Sequence, residues 1–273
     1  MSEFPHDSFA KNYLTELLNT IGKAVPNKFV KSERREGDVW FERDRRLSIP
    51  AQRKKLGLMG QLLIRDSLIE VFRNPATDFD IRSCIGKFID IESGLVRKAN
   101  RLKETVPDEK LPYLWLIMPT ASGTILRGIG FQKSRIPGVY RLPKLNRVGL
   151  IVVHQLAVTE ATLWLRLLGS EGNQNRAILE LVTQPTPPAL YASIEEVLAD
   201  YRADLESIGT LTKDEEELIM NLSVAYLKKK EEWREEGKLE DAVNFLRLGV
   251  DSETIAKGLG LPIETIEKLR DRL

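Results

Sequence analysis

The sequence feature that most constrains the fold is an unbroken apolar run, YLWLIM, at residues 113–118. A run this short is typical of a β-strand buried on both faces, because a strand with one solvated face alternates between apolar and polar residues. Such a strand belongs inside a sheet that other elements cover on both sides. The chain of 273 residues is long enough to provide those layers and a sizeable core.

Periodic patterns place further elements around this strand. Residues 6–19 and 78–104 show the spacing of helices with one apolar face, whereas residues 27–33, 37–43 and 67–73 have the character of short strands. The order is therefore helix, three strands, long helix and strand. We predict an α/β fold in which a mixed sheet is flanked by helices.

From residue 159 onward the sequence shows helical patterns only. We therefore predict three parts: an α/β domain at 1–158, an all-helical extension at 159–238 and a helix-turn-helix-like tail at 239–273. Within the first part, residues 44–63 carry no pattern that assigns them to a helix or a strand.

The tail has the residue spacing of a helix-turn-helix motif. Gly260 can take the positive φ of the turn, and Pro262 suits the first turn of the following helix. Residues 211–273 contain 11 basic and 15 acidic residues, and this negative charge repels DNA phosphate. Helix packing or oligomerisation is therefore favoured over DNA reading. The predicted apolar seam consists of Ile255, Leu259, Leu261, Ile266 and Leu269.

Basic residues are concentrated in the N-terminal part of the chain. A cluster of this kind can bind phosphate groups, or it can be a solvated loop beside two strands, and the sequence alone leaves both interpretations open. The basic segment, residues 34–55, contains Arg34, Arg35, Arg43, Arg45, Arg46, Arg53, Lys54 and Lys55.

Several segments together resemble a known group of proteins. The order helix, strand, strand, strand, helix, strand is similar to the common core of the PD-(D/E)XK nucleases. Within residues 5–230, the segments SERREGDVWF, EVFRNP, LWLIMPTASGTIL and ATLWLRLLG resemble bacterial members of the recombination-promoting nuclease and transposase-like family. The resemblance implies a PD-(D/E)XK-like core followed by a helical C-terminal extension.

The resemblance also implies a catalytic site on adjacent strands. In this fold the second strand presents an aspartate, here Asp38, and the third presents an acidic residue, here Glu70. The two carboxylates would bind Mg²⁺, a hard cation that takes oxygen ligands, stabilises charge on phosphate and lowers the pKa of bound water. The lysine of the family motif is absent, because Phe72 occupies its position. Lys87 on the long helix is the predicted substitute.

Two functions are compatible with this pattern. The first is a nuclease-like DNA-processing protein that uses Mg²⁺, with Asp38, Glu70 and Lys87 as catalytic residues and Arg73 and Arg82 as weaker sources of positive charge. The second is a catalytically inactive relative that binds DNA or protein and forms homo-oligomers through its C-terminal helices. An aspartate after glycine also suits a turn, and a strand glutamate also suits a solvated face, so the carboxylates alone do not decide.

The remaining composition limits the cellular context. Cys84 is the only cysteine, which excludes a disulfide framework and a cysteine-based zinc site. No apolar run in the sequence reaches the roughly 18–20 residues of a membrane span. The first residues, MSEFPHDSF, include two acids before any apolar stretch, which is unlike a signal peptide. We expect a cytoplasmic protein with no membrane partner.

Overall fold

The computed structural model describes residues 5–30, 35–44, 50–183 and 190–271. By their internal contacts the residues form two compact units, Met1–Leu222 and Ser223–Leu273. The predicted division at residues 158 and 238 is a different one, and it stays a prediction. No helix in the described ranges has a stretch long and apolar enough to cross a membrane.

The first unit is built on one sheet of seven strands, with the spatial order β1-β2-β3-β4-β7-β6-β5. The central strands β3, β4 and β7 are parallel, and the outer pairs are antiparallel, so the predicted mixed sheet is confirmed. The strands are β1 (Gly22–Val30), β2 (Arg35–Arg43), β3 (Ser67–Val71), β4 (Tyr113–Met118), β5 (Gln132–Lys133), β6 (Val139–Arg141) and β7 (Val148–Val152).

The described α-helices belong to both units and come before, between and after these strands in the chain. They are α1 (Pro5–Asn19), α2 (Pro50–Lys55), α3 (Gly57–Leu62), α4 (Asp78–Arg101), α5 (Gly123–Ile129), α6 (Leu163–Arg166), α7 (Glu171–Thr183), α8 (Tyr191–Glu206), α9 (Lys213–Arg247), α10 (Ser252–Leu259) and α11 (Ile263–Arg270). The start of α4 is set by a capping box. The Thr77 side chain accepts a hydrogen bond from the backbone N–H of Asp80, and the Asp80 side chain accepts one from the backbone N–H of Thr77.

The two faces of the sheet bury different layers. On one face, Trp40, Leu68 and Leu116 belong to a core with Phe88 of α4. On the opposite face, Ile117 lies in a cluster with residues of α1 and α3. The unbroken apolar run in β4 is explained by this arrangement, because its alternate side chains enter the two layers.

Strand β1 differs from its prediction. It begins at Gly22 and includes Pro26, whereas we expected this proline to precede the strand. Because β1 is the first strand in the sheet order, it lies at an edge, where a residue without an N–H group is tolerated. The unassigned segment 44–63 contains α2 and α3.

The second unit contains the segment that the sequence predicts to be helix-turn-helix-like. The predicted tail begins at residue 239, whereas in the structure residues 239–247 are the end of the 35-residue α9. Gly260 ends α10 with a φ of 66°, the left-handed conformation that glycine adopts without strain. Ala242, Ile255 and Ile266 are buried together at its centre. The other predicted seam residues pack against them, namely Leu259, Leu261 and Leu269.

Candidate functional site

The face of the sheet that packs against α4 carries two carboxylates, from Asp38 of β2 and Glu70 of β3. Val39 pairs with Ile69 in the antiparallel ladder, and continuing this register by one residue places Asp38 opposite Glu70. The backbone N–H of Val71 donates a hydrogen bond of 2.8 Å to Asp38 Oδ2. The side chain of Asp38 is therefore fixed beside the carboxyl end of β3.

Helix α4 brings a cation to these carboxylates. Lys87 Nζ lies 2.6 Å from Glu70 Oε1, and the two side chains are only 11% and 6% exposed. Cys84 lies one helical turn before Lys87, and its thiol also hydrogen-bonds to Glu70. The structure thus brings the three predicted site residues together, while their catalytic roles stay a prediction.

Burial and charge change the pKa of both carboxyl groups. Burial, together with the negative charge of Asp38, raises the pKa of Glu70 to about 7, against the opposing effect of Lys87. Burial also raises the pKa of Asp38, although the Val71 N–H group, Lys11 and Lys87 oppose this. Two buried carboxylates on neighbouring strands favour either a shared proton or an added cation.

The neighbouring side chains respond to the same environment. Burial lowers the pKa of Lys87, but its interactions with Glu70 and, to a lesser extent, with Cys84 outweigh this effect, so the net pKa is raised and the amine stays protonated. Burial raises the pKa of Cys84 well above its usual value, with Glu70 adding to the effect. A thiol held in this form is a poor nucleophile, which agrees with a packing role.

The other arginines considered as cation sources are engaged elsewhere. Arg73 forms an ion pair of 2.6 Å with Glu215. Arg82 is mostly exposed and pairs with Asp78, four residues earlier on α4. Lys87 is therefore the predicted cation that the structure places against Glu70.

Helix α1 also contributes charge near Asp38, which the sequence did not indicate. Lys11 lowers the pKa of Asp38 and Asp7 raises it, so both lie close enough to act on this carboxylate. The two residues are four positions apart and share one face of α1. The helix was recognisable only by its apolar face, and no pattern separated these two residues from ordinary solvated positions.

The carboxylates suit Mg²⁺ in number and type. Asp38 Oδ2 accepts a hydrogen bond from the Val71 N–H group and Glu70 Oε1 lies against Lys87 Nζ, and carboxylate oxygens are the ligands that Mg²⁺ prefers. Mg²⁺ commonly takes one or two carboxylates and keeps several waters. Among the described residues no group of three His, Cys, Asp or Glu side chains is arranged for a metal. A site here would therefore depend on these two ligands.

The basic segment is described only in part, because Arg34, Arg45 and Arg46 lie outside the described residues. Arg53 donates hydrogen bonds of 3.1 Å to the Gly60 carbonyl and 2.7 Å to the Leu63 carbonyl. This arginine therefore fixes the backbone around α3, and its role in phosphate binding stays untested.

Comparison with family models, curated proteins and solved structures finds no match for this chain. The likeness to PD-(D/E)XK nucleases therefore remains a prediction from the sequence. The geometry of Asp38, Glu70 and Lys87 is the basis for a function.

Proposed function

We propose that the protein is a nuclease-like DNA-processing enzyme that hydrolyses phosphodiester bonds at Asp38, Glu70 and Lys87 with the help of Mg²⁺. The observation that carries the proposal is the 2.6 Å contact between Lys87 Nζ and Glu70 Oε1, in register with Asp38 on the next strand. This contact supplies a cation from α4 where the sequence motif lacks its lysine.

Each residue has a distinct part in this proposal. Asp38 and Glu70 would hold the ion, which when bound stabilises charge on the phosphate and lowers the pKa of water. Lys87 keeps Glu70 oriented, and as a protonated amine it can donate a hydrogen bond to a phosphate oxygen or to water. The Val71 N–H group holds the Asp38 carboxylate in place.

Charge balance explains why all three residues are needed. Two carboxylates alone would repel the negatively charged backbone of DNA. Lys87 offsets one of these charges, and a divalent cation would leave the site net positive. The proposal therefore requires that DNA cleavage depend on added divalent metal.

The test is a nicking assay on plasmid DNA, with Mg²⁺ or with a chelator. We expect metal-dependent nicking by the wild type, its loss in Asp38→Asn and Glu70→Gln, and its retention in Glu109→Gln, which changes an exposed carboxylate. Lys87→Met should weaken cleavage more than Mg²⁺ binding measured by calorimetry. A folded wild-type protein that cleaves neither single- nor double-stranded DNA with Mg²⁺ would overturn the proposal.

A second function has one observation in its favour. Phe72, which stands at the position of the family's lysine, packs against the apolar core on the α4 face. A site in which an apolar core residue stands at the position of the motif lysine is compatible with an inactive relative that binds DNA or protein as an adaptor. DNA binding by the wild type without cleavage, unchanged in Asp38→Asn, would favour this function.

A further inference from the structure

A second concentration of charge lies at the amino ends of β3 and β4, away from the carboxylates. It is a pocket of about 420 Å³ that also includes Tyr113 and Trp115 in its wall. Five cations and one carboxylate line it, and we call this the cationic pocket. These residues are Arg65, Lys133, Arg141, Lys144, Arg147 and Asp108.

The pocket is separate from the carboxylate site. Tyr113 of the pocket pairs with Ser67, whereas Glu70 pairs with Leu116. The pocket and the carboxylate site are therefore three residues apart along β3 and β4. This corresponds to roughly 10 Å. Tyr113 and Glu70 also lie on opposite faces of the sheet, because alternate residues of paired strands share a face. A ligand of the pocket would therefore not contact Glu70 directly.

Two guanidinium groups of the pocket are held in place by contacts with neighbouring acidic residues. Arg65 Nη1 donates a 2.7 Å hydrogen bond to the Asp108 carbonyl. Arg147 forms ion pairs with Asp108 and Glu92. Because these contacts already restrict both side chains, little side-chain freedom would be lost on binding an anion.

Arg141 is positioned by aromatic rings. Its Nη1 donates a 3.1 Å hydrogen bond to the Tyr113 hydroxyl. Its guanidinium carbon also lies 5.6 Å from the centre of the Tyr113 ring and 5.1 Å from that of Trp115. The rings support the cation without neutralising its charge, since the phenol and indole are uncharged.

The two lysines leave the pocket with uncompensated positive charge. Lys133 and Lys144 are exposed, and neither forms an ion pair within the part of the chain that the structure describes. Asp108 is already shared between Arg65 and Arg147. The lining therefore attracts an anion, and guanidinium groups match the paired oxygens of phosphate in particular.

We propose that the cationic pocket binds a phosphomonoester or polyphosphate group. The cations come from four separate segments and surround a cavity, which suits a compact, multiply charged anion better than a row of diester phosphates. A free nucleotide and the phosphorylated end of a nucleic-acid strand both carry such a group. The proposal does not depend on the nuclease function, because Asp38, Glu70 and Lys87 lie outside the pocket.

The experiment measures binding by calorimetry, with a chelator present and in the Glu70→Gln background, so that the carboxylate site does not contribute. The probes are inorganic pyrophosphate, ATP and a short oligonucleotide with either a 5′-phosphate or a 5′-hydroxyl. We expect Lys133→Gln/Lys144→Gln to weaken pyrophosphate binding by about tenfold or more, since bonds to charged groups are the strong ones. Lys98→Gln/Lys257→Gln, which removes two exposed lysines outside the pocket, should bind as the parent does.

The probes also separate the two sources of phosphate. Tighter binding of the 5′-phosphorylated than of the 5′-hydroxyl oligonucleotide would identify a strand end, whereas binding of ATP alone would identify a nucleotide. If the parent protein binds none of the phosphorylated probes, or if both double variants bind them equally well, the proposal is wrong. Circular dichroism of each variant confirms that the fold is retained, and Arg141→Gln provides an independent change within the pocket.

Discussion

The carboxylate site and the cationic pocket differ in whether their charged side chains are buried and whether they are paired. At the carboxylate site, Glu70 and Lys87 are almost fully buried and neutralise one another. At the pocket, Lys133 and Lys144 are exposed and have no ion-pair partner among the described residues. Buried charges are linked to folding stability because an unpaired one is costly, whereas exposed charges affect chiefly what the surface attracts. The same residue types should therefore give different results when mutated at the two places.

The largest difference is expected for the two lysines. Lys87→Met leaves Glu70 buried without its cation and should lower the free energy of unfolding by about 3–5 kcal/mol. Lys133→Met, the matched change in the pocket, should alter it by no more than about 0.5 kcal/mol. Urea unfolding followed by circular dichroism measures both.

The loss in Lys87→Met should also depend on pH. It is expected to be larger at about pH 8 than at about pH 5, because a protonated Glu70 no longer needs a cation. Adding Glu70→Gln should recover much of the lost stability. Equal effects of Lys87→Met and Lys133→Met would remove the distinction between the two sites.

The second expected effect is the pH dependence that Glu70 contributes. Its pKa is about 7 in the folded protein and 4.5 when unperturbed, so between these values the folded state binds more protons than the unfolded state. Stability from this group is therefore present in full below the lower value and is lost as the pH rises through the window. Glu70→Gln should flatten the stability curve there. An unchanged slope in unfolding experiments across this range would contradict the assignment.

A smaller effect concerns the coupling between the carboxylates. Asp38→Asn removes a negative charge that raises the pKa of Glu70, so that pKa should fall. Carbon NMR titration of the Glu70 carboxyl group measures the change directly. Glu109→Gln serves as the control, because it removes an exposed carboxylate. A Glu70 pKa that stays the same in Asp38→Asn would show that the two groups do not share a site.

The smallest effect is expected at Arg141. Its contacts to Tyr113 and Trp115 are at an exposed position, where a cation–π contact contributes about 0.5–1 kcal/mol. Arg141→Gln should therefore cost at most that much in free energy of unfolding, even though it weakens phosphate binding. A loss as large as that of Lys87→Met would mean that Arg141 supports the fold instead of a ligand.

The two sites also differ in how far the sequence could predict them. The apolar run in β4 and the helical spacing of α1 and α4 have local patterns, and the order of elements was predicted from them. Asp38 and Glu70 were found through a family resemblance, and Lys87 through the absence of a lysine at Phe72. Their contact was not predictable from spacing, since it depends on how α4 crosses the sheet.

No local pattern in the sequence predicts the cationic pocket. Arg65, Lys133 and Arg147 are far apart in sequence, and the order of strands in the sheet brings them together. The clustered cations of residues 34–55 were the more conspicuous pattern, yet Arg53 binds backbone carbonyls. Local charge density in the sequence thus pointed to a different region from the cationic pocket.

The edges of the sheet have a consequence for assembly. A long, flat edge strand can pair with the same strand of another molecule and begin an aggregate. Here β5, at one edge, contains two residues, and one of them is Lys133. So short an edge offers few backbone groups to another chain, and its charge repels a second copy. The lysine that would attract phosphate thus also protects this edge of the sheet from pairing with another chain.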